Sequence, residues 1–576
     1  MPALTSKDDD LFGDMIPGST HNPTYAAAPA LWVYMQAYST WIEDMRIRWA
    51  HTAVKYDVNN FFWHTIESSK LQQCQTGIYV NGCGVSMVNV TKCGVDTPIA
   101  PPGYPYLSGS MTDDCGPLYT VANFAGIKQT EAGFVVPDSM GAAGPNHYMV
   151  VLNGYQSVAV YDKYSGLRRS PTTTTLSDFF ALNITNGPYA GTYPVGAVDP
   201  RILYDHVHQR WIASILDQAA GHVLLAVSNG TDPLGGGGST WVSDNWKKYL
   251  VPIGGPCNLD YDTLGVDSNG IYICVDVGGF SCPSEVKVVA LPKGPFLDGT
   301  AQPVQSDFKL DVTTFGAPHI FPAVNFDPIT TADSTWFIFG SGDTTFYYNQ
   351  LKWVNGFTSP PEWQGPWGAV TADIPSYYNL ISGSITAPQL GSSIRVNLTW
   401  QASLLQMAIV RKIGATQYLW TCRQIGVNSA GNNDDGQADR SAVEWFKIQT
   451  TPSLSIVDTN RIYDNAATNP RFYYIPSLVV NKNGDIVVGF SGSSVNDYIS
   501  SFYSGKLNSG SSPSTPIRYL AGKDWFNSSP DIRWGDYSCT SLDPNGLTIW
   551  TIQEYAETRP SGQGVWGTWV VAVTPF

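Results

Sequence analysis

The sequence predicts an all-β protein: a seven-bladed β-propeller behind an N-terminal mixed extension that contains a short helix. Three observations carry this. Charged residues make up 14% of the 576 residues and aromatics 13%, whereas ordinary soluble domains carry about 25% charged residues. Gly (55) and Pro (39) punctuate the chain densely, as many short strands joined by turns require. The third observation is a hairpin unit that recurs at a fixed period.

The unit is clearest near the C-terminus. Asp543-Pro544-Asn545-Gly546 divides two alternating apolar runs, Ser538–Leu542 and Leu547–Gln553. Asn-Gly accepts the positive φ angles of a tight turn, so the two runs are predicted antiparallel neighbours. Six more such turns lie upstream. With Gly144, Asp205, Asp267, Asp327, Gly414, Asn483 and Asn545 as markers, the steps are 61, 62, 60, 87, 69 and 62 residues. Seven copies of about sixty residues, each holding about four short strands, is the pattern of propeller blades. The 87-residue step marks an insertion carrying Trp353, Trp363 and Trp367. These rings are candidates for stacking on sugars or for an interface, against a simpler role covering a blade edge. The propeller is assigned to residues 121–576 and the extension to residues 1–120.

In the extension, Thr40-Trp41-Ile42-Glu43 reads as a capping box. Ile42, Met45, Trp49 and Ala53 follow at helical spacing, which predicts an amphipathic helix at about 40–56. Cys74, Cys83, Cys93 and Cys115 lie in a Gly/Thr-rich stretch without zinc-like spacing. At least one disulfide among them is expected, because such a stretch needs a staple.

Several function classes are excluded. Net charge is −15 and no Lys/Arg cluster occurs, so nucleic acid is not an expected partner. The longest weakly charged run, residues 15–42, is broken by prolines, so no membrane span is expected. Ser6-Lys7-Asp8-Asp9-Asp10 stands where a signal peptide would carry a basic region, so the route of export is not legible. Sequons at Asn89, Asn183, Asn229, Asn397 and Asn527 fit a secreted protein. No G-x-S-x-G, H-E-x-x-H, P-loop or dinucleotide fingerprint appears.

The segments "VVPDSMGAAGPNHYMVVLNGYQSVAVYDKYSG", "VDPRILYDHVHQRWIASIL", "ADRSAVEWFKI", "IPSLVVNKNGDIVVGFSGSS" and "RWGDYSCTSLDPNGLTIWTIQEYA" occur in that order. Together they resemble a family of sialidase-like seven-bladed propellers, over about residues 124–576. The resemblance implies the fold and an exported setting; it brings no agreed activity. Sialidases hold the sugar carboxylate with three arginines, beside a Tyr/Glu pair and an acidic Asp. Here Arg201, Arg440 and Arg533 each precede an apolar strand, with Tyr537, Glu554 and Asp536 as the implied counterparts. A competing reading pairs the arginines with Asp199, Asp439 and Asp536 as structural ion pairs. The signature turn S-x-D-x-G-x-T-W is absent. Its nearest text, "VNKNGDIVVGF", lacks the Ser and the Trp, which weakens any transfer of the hydrolase mechanism.

The loop at 428–441 places Asn433, Asp434, Asp435 and Asp439 around glycines. Hard oxygen ligands suit Ca²⁺, against a solvated acidic loop; no other cofactor is expected. The leading expectation is a non-catalytic propeller, extracellular or at the cell surface, acting as an assembly scaffold or glycan-binding protein. Its partner is a glycan, another extracellular protein or further copies of itself. The alternative is a carbohydrate-active enzyme, a sialidase-like hydrolase or lyase of acidic glycans. A third reading places a metal in the propeller channel.

Overall fold

The structure is a computed structural model. It describes residues 3–4 and 29–575, apart from 35–38, 44, 49, 59–61, 68, 89, 114–117, 164, 170–172, 236–244, 254–256, 279–284, 306–308, 313–318, 341–343, 355, 358–359, 381–384, 400–402, 452–453, 528–531, 559–561 and 563. It divides into two compact units, Met1–Val121 with Phe576 and Ala122–Pro575.

The larger unit is a seven-bladed propeller. Blade 1 is Met140–Ala143, His147–Val151 and Val158–Asp162; blade 2 is Ala197–Asp205, Arg210–Asp217, His222–Ser228 and Trp246–Pro252. Blade 3 is Asn258–Val266, Gly270–Gly278, Glu285–Pro292 and Lys309–Val312. Blade 4 is built on Phe321–Pro322, Ser334–Gly340 and Thr345–Lys352, the last pairing with both Glu362–Trp363 and Gly368–Thr371. Blade 5 is Ile409–Ile413, Thr416–Val427, Arg440–Gln449 and Ser455–Ile462; blade 6 is Phe472–Val480, Ile486–Ser494, Asp497–Lys506 and Ile517–Leu520. Blade 7 joins Cys539–Leu542, Ile549–Glu557 and Val565–Pro575 to a fourth strand from far upstream, Leu118–Lys128.

Six of the seven turn markers fall between the first and second strands of their blades, and the seventh, Asp205, is the last residue of its first strand. The first strands of successive blades touch in turn, except that blade 4 meets blade 5 through Val324–Asn325, just past its first strand, which pairs in parallel with Ile409 and Val410. The first strand of blade 7 touches that of blade 1, so the ring is closed with these strands innermost. Both faces of each blade are covered by its neighbours. That is why strands such as Ile549–Glu557 are buried at every position, where an open antiparallel sheet shows one wet face.

The marker turns also carry latches between blades. Asp543 of blade 7 accepts from Lys163, just past blade 1, at 2.8 Å. Asp205 of blade 2 accepts from Lys293, which follows the third strand of blade 3, at 2.8 Å. Asp267 of blade 3 accepts from Thr335 of blade 4.

The smaller unit corrects two expectations. The described residues of 40–56 form no helix: Trp41–Glu43, Arg46–Arg48 and Thr52–Asp57 are strands. Each pairs in parallel with a strand one coil further on, Trp41 with Thr65, Arg46 with Lys70 and Thr52 with Thr76. This is a parallel β-helix. Ile42 stacks on Ile66, Ile47 on Leu71 and Val54 on Ile78, and these residues form its buried core. Side chains one coil apart bond along the stack: Asn81 donates to Asp57 at 2.9 Å, and Thr40 meets His64 at 2.8 Å. Helical spacing misled because the partners of these residues lie a whole coil away, beyond any local window. The described helices, Gln129–Ala132, Leu176–Phe179 and Lys293–Asp298, are all in the propeller and have at most six residues.

The second correction concerns the cysteines. Cys74 is a buried thiol donating to the Ile47 carbonyl oxygen at 3.8 Å, and Cys83 is a buried free thiol, so neither is part of a staple. Inter-coil backbone bonds and stacked apolar rows do that work. The Cys93 side chain and Cys115 lie outside the described residues. No helix among the described residues is long and apolar enough to cross a membrane.

Candidate axial site

The innermost strands of three blades share a local distortion. A β-bulge interrupts pairing between Val198 and Arg201 in blade 2, Asp260 and Thr263 in blade 3, and Tyr474 and Ser477 in blade 6. Asp199, Tyr261 and Ile475 there take φ of 52°, 45° and 51°. A non-glycine residue in this region costs on the order of 1–3 kcal/mol, a strain that recurs at functional sites. Asp138, ahead of blade 1, has φ of 47°.

These residues are stitched around the axis. The Asp536 N–H donates to Asp138 at 2.7 Å, and the Asn153 amide donates to the other Asp138 oxygen at 2.7 Å. The Asn153 carbonyl oxygen accepts from the Asp199 N–H at 2.9 Å, and an Asp199 carboxylate oxygen from the Tyr261 N–H at 3.2 Å. Blades 7, 1, 2 and 3 thus present four carboxylates, Asp138, Asp199, Asp260 and Asp536, to one cavity of about 350 Å³. Arg533, His319, Tyr261 and Phe134 complete the part of its wall that matters here.

Burial and crowding raise the proton affinity of Asp138, Asp199 and Asp260. Burial, with Asp536 and Asp199 adding repulsion, lifts Asp138 well above the usual carboxylate range. Burial, then Asp260 and Asp536, pushes Asp199 up to about 6. Asp260, exposed at the mouth, is raised by desolvation and by Asp536. Arg533 donates to Asp536 at 2.5 Å. Burial works against its charge, yet the carboxylate overrides this and raises it.

Below this cavity lies a plug. The Arg201 guanidinium stacks 3.4 Å over the Tyr537 ring, with its Nε 3.5 Å from Asp262. Burial pushes Asp262 up to about 7. The Tyr537 hydroxyl donates to the Pro200 carbonyl oxygen at 3.1 Å, and burial raises its pKa further. Glu554 is buried, accepts from the Ser139 hydroxyl at 2.7 Å, and is pushed by burial up to about 8. Beyond the plug is an apolar axial cavity of about 90 Å³ lined by first-strand residues such as Met140, Ile202, Phe321 and Leu542.

Of the residues singled out in the sequence, Arg533 and Asp536 line the carboxylate cavity, whereas Arg201, Tyr537 and Glu554 are buried outside its wall. Arg440 does not converge with the other arginines. It opens the third strand of blade 5, and its donors are taken by Asp439 and by the carbonyl oxygens of Asp464 and Ala466. Trp353, Trp363 and Trp367 are packed into the core of blades 3 and 4. Trp353 is buried and donates to Tyr272 at 3.0 Å, whereas Trp363 and Trp367 are partly buried against that core, edge-on to Phe337 and tilted to Phe339.

The acidic loop binds itself. Asn433 accepts from the Ala438 N–H, Asp435 from Gln437 and Asn428, Asp434 from Ser376, and Asp439 pairs with Arg440. Oxygens committed this way are poor ligands. Among the described residues no group of three or more His, Cys, Asp and Glu is arranged to hold a metal ion.

Asp138, Asp199, Asp260, Asn153 and His319 were not picked out as site residues from sequence. One signal existed: Asp138 and Asp199 both stand six residues before their turn markers, and Asp260 stands 61 after Asp199.

No family model matches the chain, and no curated protein matches it. Solved structures similar to it are propellers of low identity. A subtype N10 neuraminidase-like protein of A/little yellow-shouldered bat is 9% identical, covering 68% of this chain and 99% of that one, with a TM-score of 0.31. The fucose-recognising fungal lectin of Aleuria aurantia is 10% identical, with coverage of 67% and 96% and a TM-score of 0.31. An endo-arabinanase from Bacillus licheniformis is 12% identical, with coverage of 55% and 96% and a TM-score of 0.25. Scores this low carry no argument about ligand or mechanism.

Proposed function

We propose that the propeller binds a neutral glycan in its axial cavity. One observation carries this reading. Among the described residues of the propeller, Phe134 (39% exposed) and Tyr155 (70% exposed) are the only large aromatics that face solvent; one stands in the wall of this cavity and the other packs just outside that wall. Phe134 lines it. Tyr155 packs beside Gly133, next in the chain, and its N–H donates to Ala132 at 2.7 Å. Aromatic faces stack on sugar rings, while carboxylates and a guanidinium take the hydroxyls. The arginine in the described wall is already paired with Asp536, so little in the cavity would hold an anionic sugar, and an acidic glycan fits poorly.

A second reading, a glycoside hydrolase, has its own support. Asp199, held protonated to about pH 6, stands beside Asp536, which is paired with Arg533; carboxyls in contrasting surroundings suit acid and base roles. An exported setting belongs to the proposal, and the disulfide bond of Cys257 fits an oxidising milieu. A surface scaffold is compatible with either reading.

The test is a neutral and acidic glycan array probed with wild type, Phe134→Ala and Asp536→Asn. Neutral glycans are expected to bind, and each variant to weaken them at least tenfold while circular dichroism is unchanged. Preference for acidic glycans, or no binding, refutes the proposal. Release of reducing ends from bound glycans selects the hydrolase reading.

A further inference from the structure

A second cavity adjoins the axial one on the same face. It measures about 330 Å³ and lies between the starts of the innermost strands of blades 2 and 3, lined by Gly196, Ala197, Val198, Gln218, Ala219 and Asn258. Val198 and Gln218 also wall the axial cavity. The two spaces therefore share two wall residues, and Gln218 is exposed.

The floor is built to stay low and rigid. The Val195 and Gly196 N–H groups donate to the two Asp217 oxygens at 2.9 and 2.8 Å. The Gln218 N–H donates to the Gly196 carbonyl oxygen at 3.0 Å. A Cβ at Gly196 would stand 3.2 Å from that of Ala219, so larger residues here would close the space. The Gln218 amide reaches across to the Leu259 carbonyl oxygen of blade 3 at 3.0 Å. Among the described residues no charged or aromatic side chain lines this second space.

We infer that the two cavities form one cleft with two subsites, and that the ligand is a linear oligosaccharide rather than a single sugar. The inference rests on the glycan reading of the axial cavity. One residue of the oligosaccharide occupies the carboxylate subsite against Phe134. The next lies over Ala197 and Ala219, between the amides of Gln218 and Asn258. Amide side chains offer both donors and acceptors, which suits uncharged hydroxyls. Each cavity alone is near the low end of the roughly 300–1,000 Å³ typical of ligand sites, and together they sit well inside it. A charged peptide would need a charged anchor point, and none of the described residues lining the second space supplies one.

The experiment is calorimetric titration of the full chain with gluco-, xylo- and galacto-configured neutral oligosaccharides of one to six residues. Affinity is expected to rise at least tenfold from monosaccharide to trisaccharide in the configuration that binds. Ala219→Trp, which fills the second subsite, is expected to abolish that rise while leaving monosaccharide affinity within twofold. Phe134→Ala is expected to weaken every length alike. Affinity independent of chain length, or a rise that survives Ala219→Trp, overturns the two-subsite cleft and leaves the axial site standing. Binding of none of the panel overturns both.

Discussion

Replacing Lys163 with methionine should loosen the propeller at the seam between blades 7 and 1. Its ammonium lies 2.8 Å from Asp543 and 3.1 Å from the Gly144 carbonyl oxygen. The two side chains are 2% and 4% exposed. The same Asp543 oxygen accepts from the Trp550 indole N–H at 2.8 Å. Without the lysine, that bond and one from the Asn545 N–H to the other oxygen at 3.0 Å are left to hold a buried carboxylate with no cation beside it. Removing one partner of a buried ion pair costs about 3–5 kcal/mol. The unit spans Ala122–Pro575, and at about 2.1 cal/mol/K per residue such a loss lowers the melting midpoint by about 3–5 °C. The assay is differential scanning fluorimetry with urea unfolding, on Lys163→Met, Asp543→Asn and the double variant. Each single change should lower the midpoint, and the double variant should fall no further than the worse single one, because the two act on one interaction. A Lys163→Met midpoint within 1 °C of wild type, or an additive double variant, refutes the latch.

Buried carboxyls give stability a pH dependence of known sign. Glu554 is held up to about 8 and Asp262 up to about 7 by burial, so between pH 4.5 and these values the folded protein keeps protons that the unfolded chain releases. Stability should therefore fall as pH rises from about 5 to 8; Glu554→Gln should flatten the slope, and an unchanged slope would show that the acid is not buried protonated. In the β-helix, Ile66 is fully buried between Ile42 and Met87, and Ile66→Ala should cost about 2–5 kcal/mol, read as earlier proteolysis within residues 29–113; equal resistance would rule out the coil stacking. Cys83, Cys274, Cys422 and Cys539 are buried free thiols, so each should resist alkylation in the native protein and react in denaturant without reductant. Peptide mass spectrometry showing any of the four protected after denaturation would contradict this.

The propeller was legible because its signal is repeated and local. Each marker turn is set by a few residues, and seven copies at a steady step leave little room for another fold. The β-helix was not legible, because its order comes from pairing residues 21–24 apart through coils of unequal length. Nothing in the Ile42, Met45, Trp49 and Ala53 spacing records that Ile42 will meet Ile66. The site fell between these cases. Arg533 and Asp536 could be named because the motif around them is distinctive. Asp138 and Asp199 share an offset from their markers, but only their positive φ angles, which sequence does not record, bring their carboxylates to one cavity. The arginine triad failed on strand order: Arg440 opens a third strand, and sequence does not say which strand of a blade is innermost.

The pairing of Leu118–Lys128 with Val565–Pro575 makes time a variable in the life of this protein. One partner is among the first parts of the propeller to leave the ribosome and the other is the last. At about 5–20 residues per second, the earlier strand waits roughly half a minute or more with an apolar edge and unsatisfied backbone groups. During that wait the blades form an arc with two adhesive ends. An arc from a neighbouring ribosome offers the complementary end, and exposed edges of this kind template association between chains. Expression rate and local crowding of nascent chains would then decide how much of the product closes on itself and how much is lost to interlinked arcs, whatever the stability of the finished ring.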